Sequence, residues 1–292
     1  ASVKESFELV AGRTKTVADH YNTYTLKFAA KDARKLNLNV VVRAYDEGVA
    51  IRYQLPNQSG LDQFTIPNEL TRFIFANDYN CFGFNQGKFV HSHEGEFDAV
   101  KSSLIREHNL YDNPLVCKTG VDQTTFALAE SNVRDYSGAW FTGTGSGENG
   151  VEIRLTHSVD NRPDGSNYAS VRAKMPANGF NTPWRVIMVG DTPGKLTESS
   201  LIAMLGEPTQ IKDTSWIKPG KTAWDWWNDS QVTFPKGATA TKPGMNTDTY
   251  KAYIDFASTL GLEYILIDEG WHQGSTDRKS TRLNSSHAEL SR

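Results

Sequence analysis

The sequence predicts an antiparallel β-sandwich followed by the first β/α units of a parallel barrel or doubly wound sheet. Three observations lead there. Short segments of alternating apolar and polar residues, separated by polar turns, fill most of the chain as far as about residue 190. The pattern changes near residue 193, where helical spacing takes over. One strongly periodic helical segment then runs directly into a short apolar stretch that ends in two adjacent acids.

The elements follow in order. Residues 23–28 read as a first strand. Leu38, Val40, Val42 and Ala44 alternate with Asn39, Val41, Arg43 and Tyr45, and Asp46, Glu47 and Gly48 break the run. Val49, Ile51 and Tyr53 resume it, so the segment is a β-hairpin with Gly48 free to take positive φ. Residues 124–130, 151–155, 168–173 and 184–189 read as further strands, and the glycine-rich stretch 143–150 as a hairpin tip. It lacks the Lys-Ser/Thr ending and following helix of a phosphate loop. Residues 197–205 suit a short helix with Leu201, Ile202 and Leu205 on one face. Tyr250, Tyr253, Ile254, Ala257 and Leu260 recur at helical spacing, with Asn246 or Thr247 able to cap the start and Gly261 the end. The run 264–267 then forms a strand, so strand, connection, helix and strand follow the β/α rhythm.

Composition bounds the function. With 31 Lys+Arg against 34 Asp+Glu in 292 residues, the formal charge of -3 gives no electrostatic case for nucleic acid or an anionic membrane. No apolar run reaches the roughly 20 residues that span a bilayer. Cys81 and Cys117 are too few for a disulfide scaffold and lack metal-site spacing; they form one bridge or stay free.

Chemistry concentrates in three places. The segment Trp224, Asp225, Trp226, Trp227, Asn228 packs three indoles into four residues. One strand cannot turn all of them into one core, because successive side chains face opposite ways. Trp224 and Trp226 are read as barrel wall. Trp227 supplies an apolar plate for a sugar ring, and Asp225 and Asn228 can bind its hydroxyls. Asp268 and Glu269 stand at the carboxyl end of a strand, where barrel active sites form. Adjacent strand residues point apart, so one would bind a hydroxyl and the other pair elsewhere. Glu130 ends a strand of the sandwich. Taken by itself it reads as a solvated or Arg-paired acid, although Glu130, Asn132 and Asp135 together offer oxygen ligands suited to Ca²⁺. His91 and His93 flank Ser92, but without a third ligand nearby they read as surface structure.

Taken together, residues 45–56 (YDEGVAIRYQLP), 130–140 (ESNVRDYSGAW), 182–188 (TPWRVIM), 213–228 (DTSWIKPGKTAWDWWN) and 264–271 (YILIDEGW) resemble glycoside hydrolase family 97. The resemblance implies a β-super-sandwich at residues 1–192, a helical linker at 193–212 and the start of a (β/α)8 TIM barrel at 213–276, the barrel being incomplete. It implies an α-glycosidase, with a modest lean to the retaining α-galactosidase branch over the inverting α-glucosidase branch. The catalytic carboxylates are expected beyond the end of the chain, so the chain alone is expected to be inactive. The same resemblance makes Glu130 a Ca²⁺ ligand, an α-linked oligosaccharide or glycoside the partner, and the periplasm or exterior the location. A non-catalytic carbohydrate-binding sandwich is the competing class.

Residues 277–292 stand apart. The stretch 277–287 (DRKSTRLNSSH) resembles the in-frame translation of a sequencing adapter. The segment is expected to be foreign to the fold, and the natural chain to continue past Thr276.

Overall fold

A computed structural model describes residues 1–89, 92–156, 171–234, 236–268 and 287–289. The chain divides into two compact units, Ala1–Gln210 and Ile211–Arg292.

The first unit is almost wholly β. In chain order its strands are β1 (Ser2–Glu8), β2 (Thr16–Ala29), β3 (Asn37–Tyr45), β4 (Gly48–Leu55), β5 (Gln63–Ile66), β6 (Arg72–Ile74), β7 (Asn80–Gly83) and β8 (Asp98–Lys101). They continue as β9 (Leu115–Lys118), β10 (Thr125–Ser131), β11 (Ala139–Gly143), β12 (Gly150–Leu155), β13 (Val171–Lys174), β14 (Phe180–Asn181) and β15 (Trp184–Gly190). A large sheet runs β1-β2-β3-β4-β15-β10-β9-β7-β8, with β14 also paired to β4. The sheet β11-β12-β6 and the pair β13-β5 are separate. Every pairing in this unit is antiparallel, as the alternating pattern requires.

Alternation along β10 and β15 explains the layers. Phe126, Leu128 and Ile187 turn to one face and pack with Phe141, Val151, Ile153 and Leu155 of β11 and β12, which makes the sandwich core. Ala127, Ala129, Trp184, Val186 and Met188 turn to the other face and pack with Leu201, Met204 and Leu205. The small side chains let the covering segment lie close. At Gly48, with φ +155°, an added Cβ would stand 2.3 Å from the Ile187 carbonyl and 2.8 Å from Leu201, so the hairpin glycine serves the turn and this approach together. Cys81 and Cys117 face each other across β7 and β9 and are joined as a disulfide, which settles the alternative left open by the sequence.

The expected helix at 197–205 is two short ones, α1 (Pro193–Glu198) and α2 (Leu201–Met204), parted by Ser199 and Ser200. Leu201 and Leu205 are buried as expected, but Ile202 is 38% exposed, because a single turn turns its side chain away from the sheet.

The second unit contains β16 (Thr222–Trp224), α3 (Thr247–Leu260), β17 (Tyr264–Leu266) and β18 (His287–Glu289). Strands β16 and β17 are parallel, with Thr222 opposite Tyr264 and Trp224 opposite Leu266, and α3 makes the crossover. This is the β/α unit that the sequence pattern implied. The Asn246 side chain accepts the Thr249 N–H at 3.0 Å, and Gly261 closes the helix at φ 66°. Ala223, Tyr253, Ala257 and Ile265 form the small core. The backbone of β18, within the segment expected to be foreign, pairs antiparallel with β17.

Candidate functional site

The parallel pair fixes where the acids emerge. Asp225 follows the last residue of β16, and Asp268 lies two residues past the end of β17, so both stand at the carboxyl ends of neighbouring strands. The Trp-rich segment is not a continuous strand. It leaves the sheet at Trp224 and winds into a 3-10 turn, Asp225–Asn228, which resolves how three indoles fit into four residues. Trp224 stays half-buried, its Nε1 donating to Asp268 Oδ2 at 2.9 Å. Trp226 is 67% exposed, against the reading of it as barrel wall: with the strand ended at Trp224, the turn carries its ring outward. Trp227 is 81% exposed and meets Trp224 edge-to-face, with ring centres 6.1 Å apart.

The polar groups of the turn are tied to α3. Asp225 is buried, and its Oδ2 accepts from the Tyr250 hydroxyl. Asn228 Oδ1 accepts from the Tyr253 hydroxyl, while its Nδ2 donates to the Gln231 carbonyl at 2.9 Å. Burial, then the bond to Asp225, pushes the Tyr250 hydroxyl far above its ordinary pKa, so it stays a donor. The buried Asp225 Oδ1 finds no hydrogen-bond partner among the described residues. Asp225, Trp227, Asn228 and Asp268 thus share one locality, as the sequence suggested; Glu269 lies outside the described residues. The two tyrosines were legible as a helix face, but not as the holders of Asp225 and Asn228.

Glu130 belongs to another cluster, in the first unit. It sits opposite Arg185 in the register of β10 and β15, and Arg185 Nη1 donates to Glu130 Oε2 at 2.7 Å. Arg185 also grips Glu69 with two bonds, Nε to Oε1 at 2.9 Å and Nη2 to Oε2 at 2.6 Å. Tyr136 and Thr71 donate to the Glu69 carboxylate at 3.0 and 2.7 Å. Glu69 is buried, which alone would raise its pKa, but the Arg185 bonds and charge hold it below the ordinary range. Burial wins at Glu130 and raises its pKa against the pull of Arg185. Two carboxylates therefore share one guanidinium. Of the two readings of Glu130, the Arg-paired acid is the one the geometry shows.

Calcium can be tested against this arrangement. Among the described residues Glu130 Oε1 accepts only the Ala139 N–H, at 3.1 Å, which leaves the carboxylate lone pairs for a cation. No group of three His, Cys, Asp or Glu able to hold a metal occurs among the described residues. Asn132 and Asp135 adopt positive φ of 59° and 48° in the loop that follows. The donor chemistry fits one contributed ligand and not a complete site. Of the histidine pair, His91 lies outside the described residues; His93 bonds Asp112 and stacks on Trp140 at 5.7 Å.

Acids at the carboxyl ends of neighbouring parallel strands stand where β/α folds place their active sites. Comparison with known proteins makes the assignment specific. The description "Glycosyl-hydrolase 97 N-terminal" matches residues 1–208 and "Glycoside hydrolase 97" matches residues 226–290. The chain belongs to glycoside hydrolase family 97. It is 32% identical, over 92% of its length and 41% of the relative's, to the "Retaining alpha-galactosidase" of Bacteroides thetaiotaomicron. It is 27% identical, over 93% of its length and 39% of the relative's, to the "Probable retaining alpha-galactosidase" of Streptomyces bingchenggensis. The chain therefore spans about two fifths of the length of these relatives. Among solved structures, a family 97 enzyme from Pseudoalteromonas sp. strain K8 in complex with acarbose superposes with TM-score 0.75 at 27% identity, covering 94% of this chain and 39% of that one.

Proposed function

We propose that the protein to which this chain belongs is a retaining, exo-acting α-glycosidase that removes terminal α-linked galactose. The observation that carries the reading is the 32% identity, across nearly the whole chain, to a retaining α-galactosidase. In a retaining reaction one carboxylate attacks the anomeric carbon and a second protonates the leaving oxygen, then activates water. Those two carboxylates would come from later barrel strands. The residues of this chain would hold the sugar: Trp227 as an apolar plate and Asp268 as an acceptor for a ring hydroxyl, with Asp225, Asn228 and Glu269 beside them. Tyr250 and Tyr253 would keep Asp225 and Asn228 fixed, so that little side-chain freedom is lost on binding. Glu130 would supply one oxygen to a Ca²⁺ completed by residues elsewhere in the protein. Such an ion supplies charge stabilisation and orientation.

An inverting α-glucosidase is the second reading, favoured by a Pseudoalteromonas sp. strain K8 relative whose structure is a complex with panose, a glucose trisaccharide. The Cys81–Cys117 disulfide supports a periplasmic or secreted location, because oxidising compartments preserve such bridges. Among the described residues no helix is long and apolar enough to cross a membrane.

The test is an assay of the full-length gene product on aryl α-galactoside and aryl α-glucoside, with the anomer of the first product read by NMR. Faster turnover of the galactoside with retention is expected. Preference for the glucoside with inversion would select the second reading, and no turnover of either by a folded protein would sink both. The 292-residue chain itself is expected to show no hydrolysis.

A further inference from the structure

Arg185 stands where packing would ask for an apolar side chain. It lies on β15, its side chain 1% exposed, directly opposite Glu130 of β10. The next pair on that face of the two strands, Leu128 and Ile187, packs into the sandwich core. A buried ion pair seldom stabilises a fold more than apolar residues of the same volume would. What a forked arginine–carboxylate pair adds is fixed direction.

The guanidinium is held from one side and used from the other. Glu69 grips Nε and Nη2, and the same carboxylate accepts from Thr71 and Tyr136, so the fork cannot swing. The remaining nitrogen, Nη1, donates to Glu130 Oε2. Exposure rises through the cluster: the Glu69 side chain is 5% exposed and the Glu130 side chain 16%. Glu130 is therefore the member that an ion reaches. The Ala139 N–H, from the facing sheet, takes one lone pair of Glu130 Oε1 and among the described residues leaves the other open. Tyr136 sits in the loop 132–138 that follows Glu130, so Glu69 anchors that loop together with the arginine. A cation beside a cation site repels the ion, so charge alone would make Arg185 a liability to Ca²⁺ there. Direction is the service it can render.

We propose that Arg185, locked by Glu69 and Tyr136, is a positioning residue: it holds Glu130 Oε2 so that Oε1 meets Ca²⁺ in one orientation. The proposal rests on the reading of Glu130 as a Ca²⁺ ligand, and the test separates the two. Outer partners of this kind are worth about 10–100-fold in metal affinity. The full-length gene product, freed of metal by a chelator, is titrated calorimetrically with calcium chloride. Glu130→Gln, Arg185→Lys, Tyr136→Phe and Val151→Ala are titrated alongside, and the thermal midpoint of each is read in chelator. Arg185→Lys keeps the charge and loses the fork. Tyr136→Phe keeps the ring and loses one bond to Glu69, so it carries the test if the lysine variant does not fold. Val151→Ala, in the buried core opposite Gly143, loosens the sandwich without touching these groups. Ca²⁺ binding about tenfold weaker in Glu130→Gln and Arg185→Lys, about threefold weaker in Tyr136→Phe and unchanged in Val151→Ala supports the proposal. Loss in Glu130→Gln with parental affinity in Arg185→Lys and Tyr136→Phe overturns it and leaves the Glu130 reading standing. Equal loss in Val151→Ala also overturns it, because general loosening would then suffice. No Ca²⁺ binding by the folded parent, or parental affinity in Glu130→Gln, overturns both.

Discussion

The two units solve the same packing problem to different degrees. In the sandwich the central strands β10 and β15 are covered on both faces, and their one interior cation, Arg185, is met by Glu69 and Glu130. In the β/α unit, α3 covers one side of two short parallel strands through Tyr253 and Ala257. There Trp226, Trp227, Phe256 and Leu260 are 67%, 81%, 55% and 59% exposed, a concentration of apolar surface that a soluble fold seldom leaves open. A parallel sheet needs cover on both faces, whereas an antiparallel sandwich supplies its own. Among the described residues the central sandwich strands are covered on both faces, and the parallel strands of the β/α unit on one. The candidate sugar-binding acids lie in that unit.

The contrast can be sharpened by mutation. The largest effect is expected at Arg185→Ala, which strands the buried Glu69 and half-buried Glu130 carboxylates and should cost about 3–5 kcal/mol in chemical denaturation. Leu128→Ala, in the sandwich core at 1% exposure, should cost about 2–5 kcal/mol, with the full loss appearing in the main unfolding transition. Ile265→Ala, equally buried at 2% but in the β/α unit, should leave that main transition in place. If it instead lowers the transition as Leu128→Ala does, the two units unfold as one. Tyr253→Phe removes one hydroxyl bond to Asn228 and should cost about 1 kcal/mol, read in the same experiment.

The smallest effect is at Glu130→Gln, and its sign depends on pH. Glu130 has a raised pKa in the fold, so its ionisation is a burden that appears as pH rises above the ordinary glutamate value of 4.5. The variant, which mimics the protonated acid, should be the more stable form at neutral pH. The gap should close as pH falls below 4.5, as the unfolded carboxyl also becomes protonated. In the full-length protein added Ca²⁺ should reverse the order, raising the melting temperature of the parent and not of the variant. A gap independent of pH would show that Glu130 is not held above its ordinary value.

Much of this was legible in the sequence. The 38–53 hairpin, the strand 184–189 and the capped helix ending at Gly261 follow directly from periodicity and cap chemistry. The strand-end position of Asp268 follows from the β/α rhythm. Other features gave no local signal. Strand β1, SVKESFE, is an edge strand with a mostly polar, exposed face, so its pattern lacks a clean apolar alternation. The 3-10 turn was hidden because tryptophan favours strands, so the segment reads as extended. The Glu69–Arg185 pair joins residues 116 apart in sequence, and only the arginine inside the apolar run TPWRVIM announced that a partner was needed.

Amide hydrogen exchange on the whole chain, followed by mass spectrometry, tests the central contrast most directly. Peptides from β10 and β15 should exchange only through global opening, and peptides from β16, α3 and β17 should exchange at least tenfold faster through local opening. Equal protection in the two units would contradict the account, because the β/α unit would then be as complete as the sandwich.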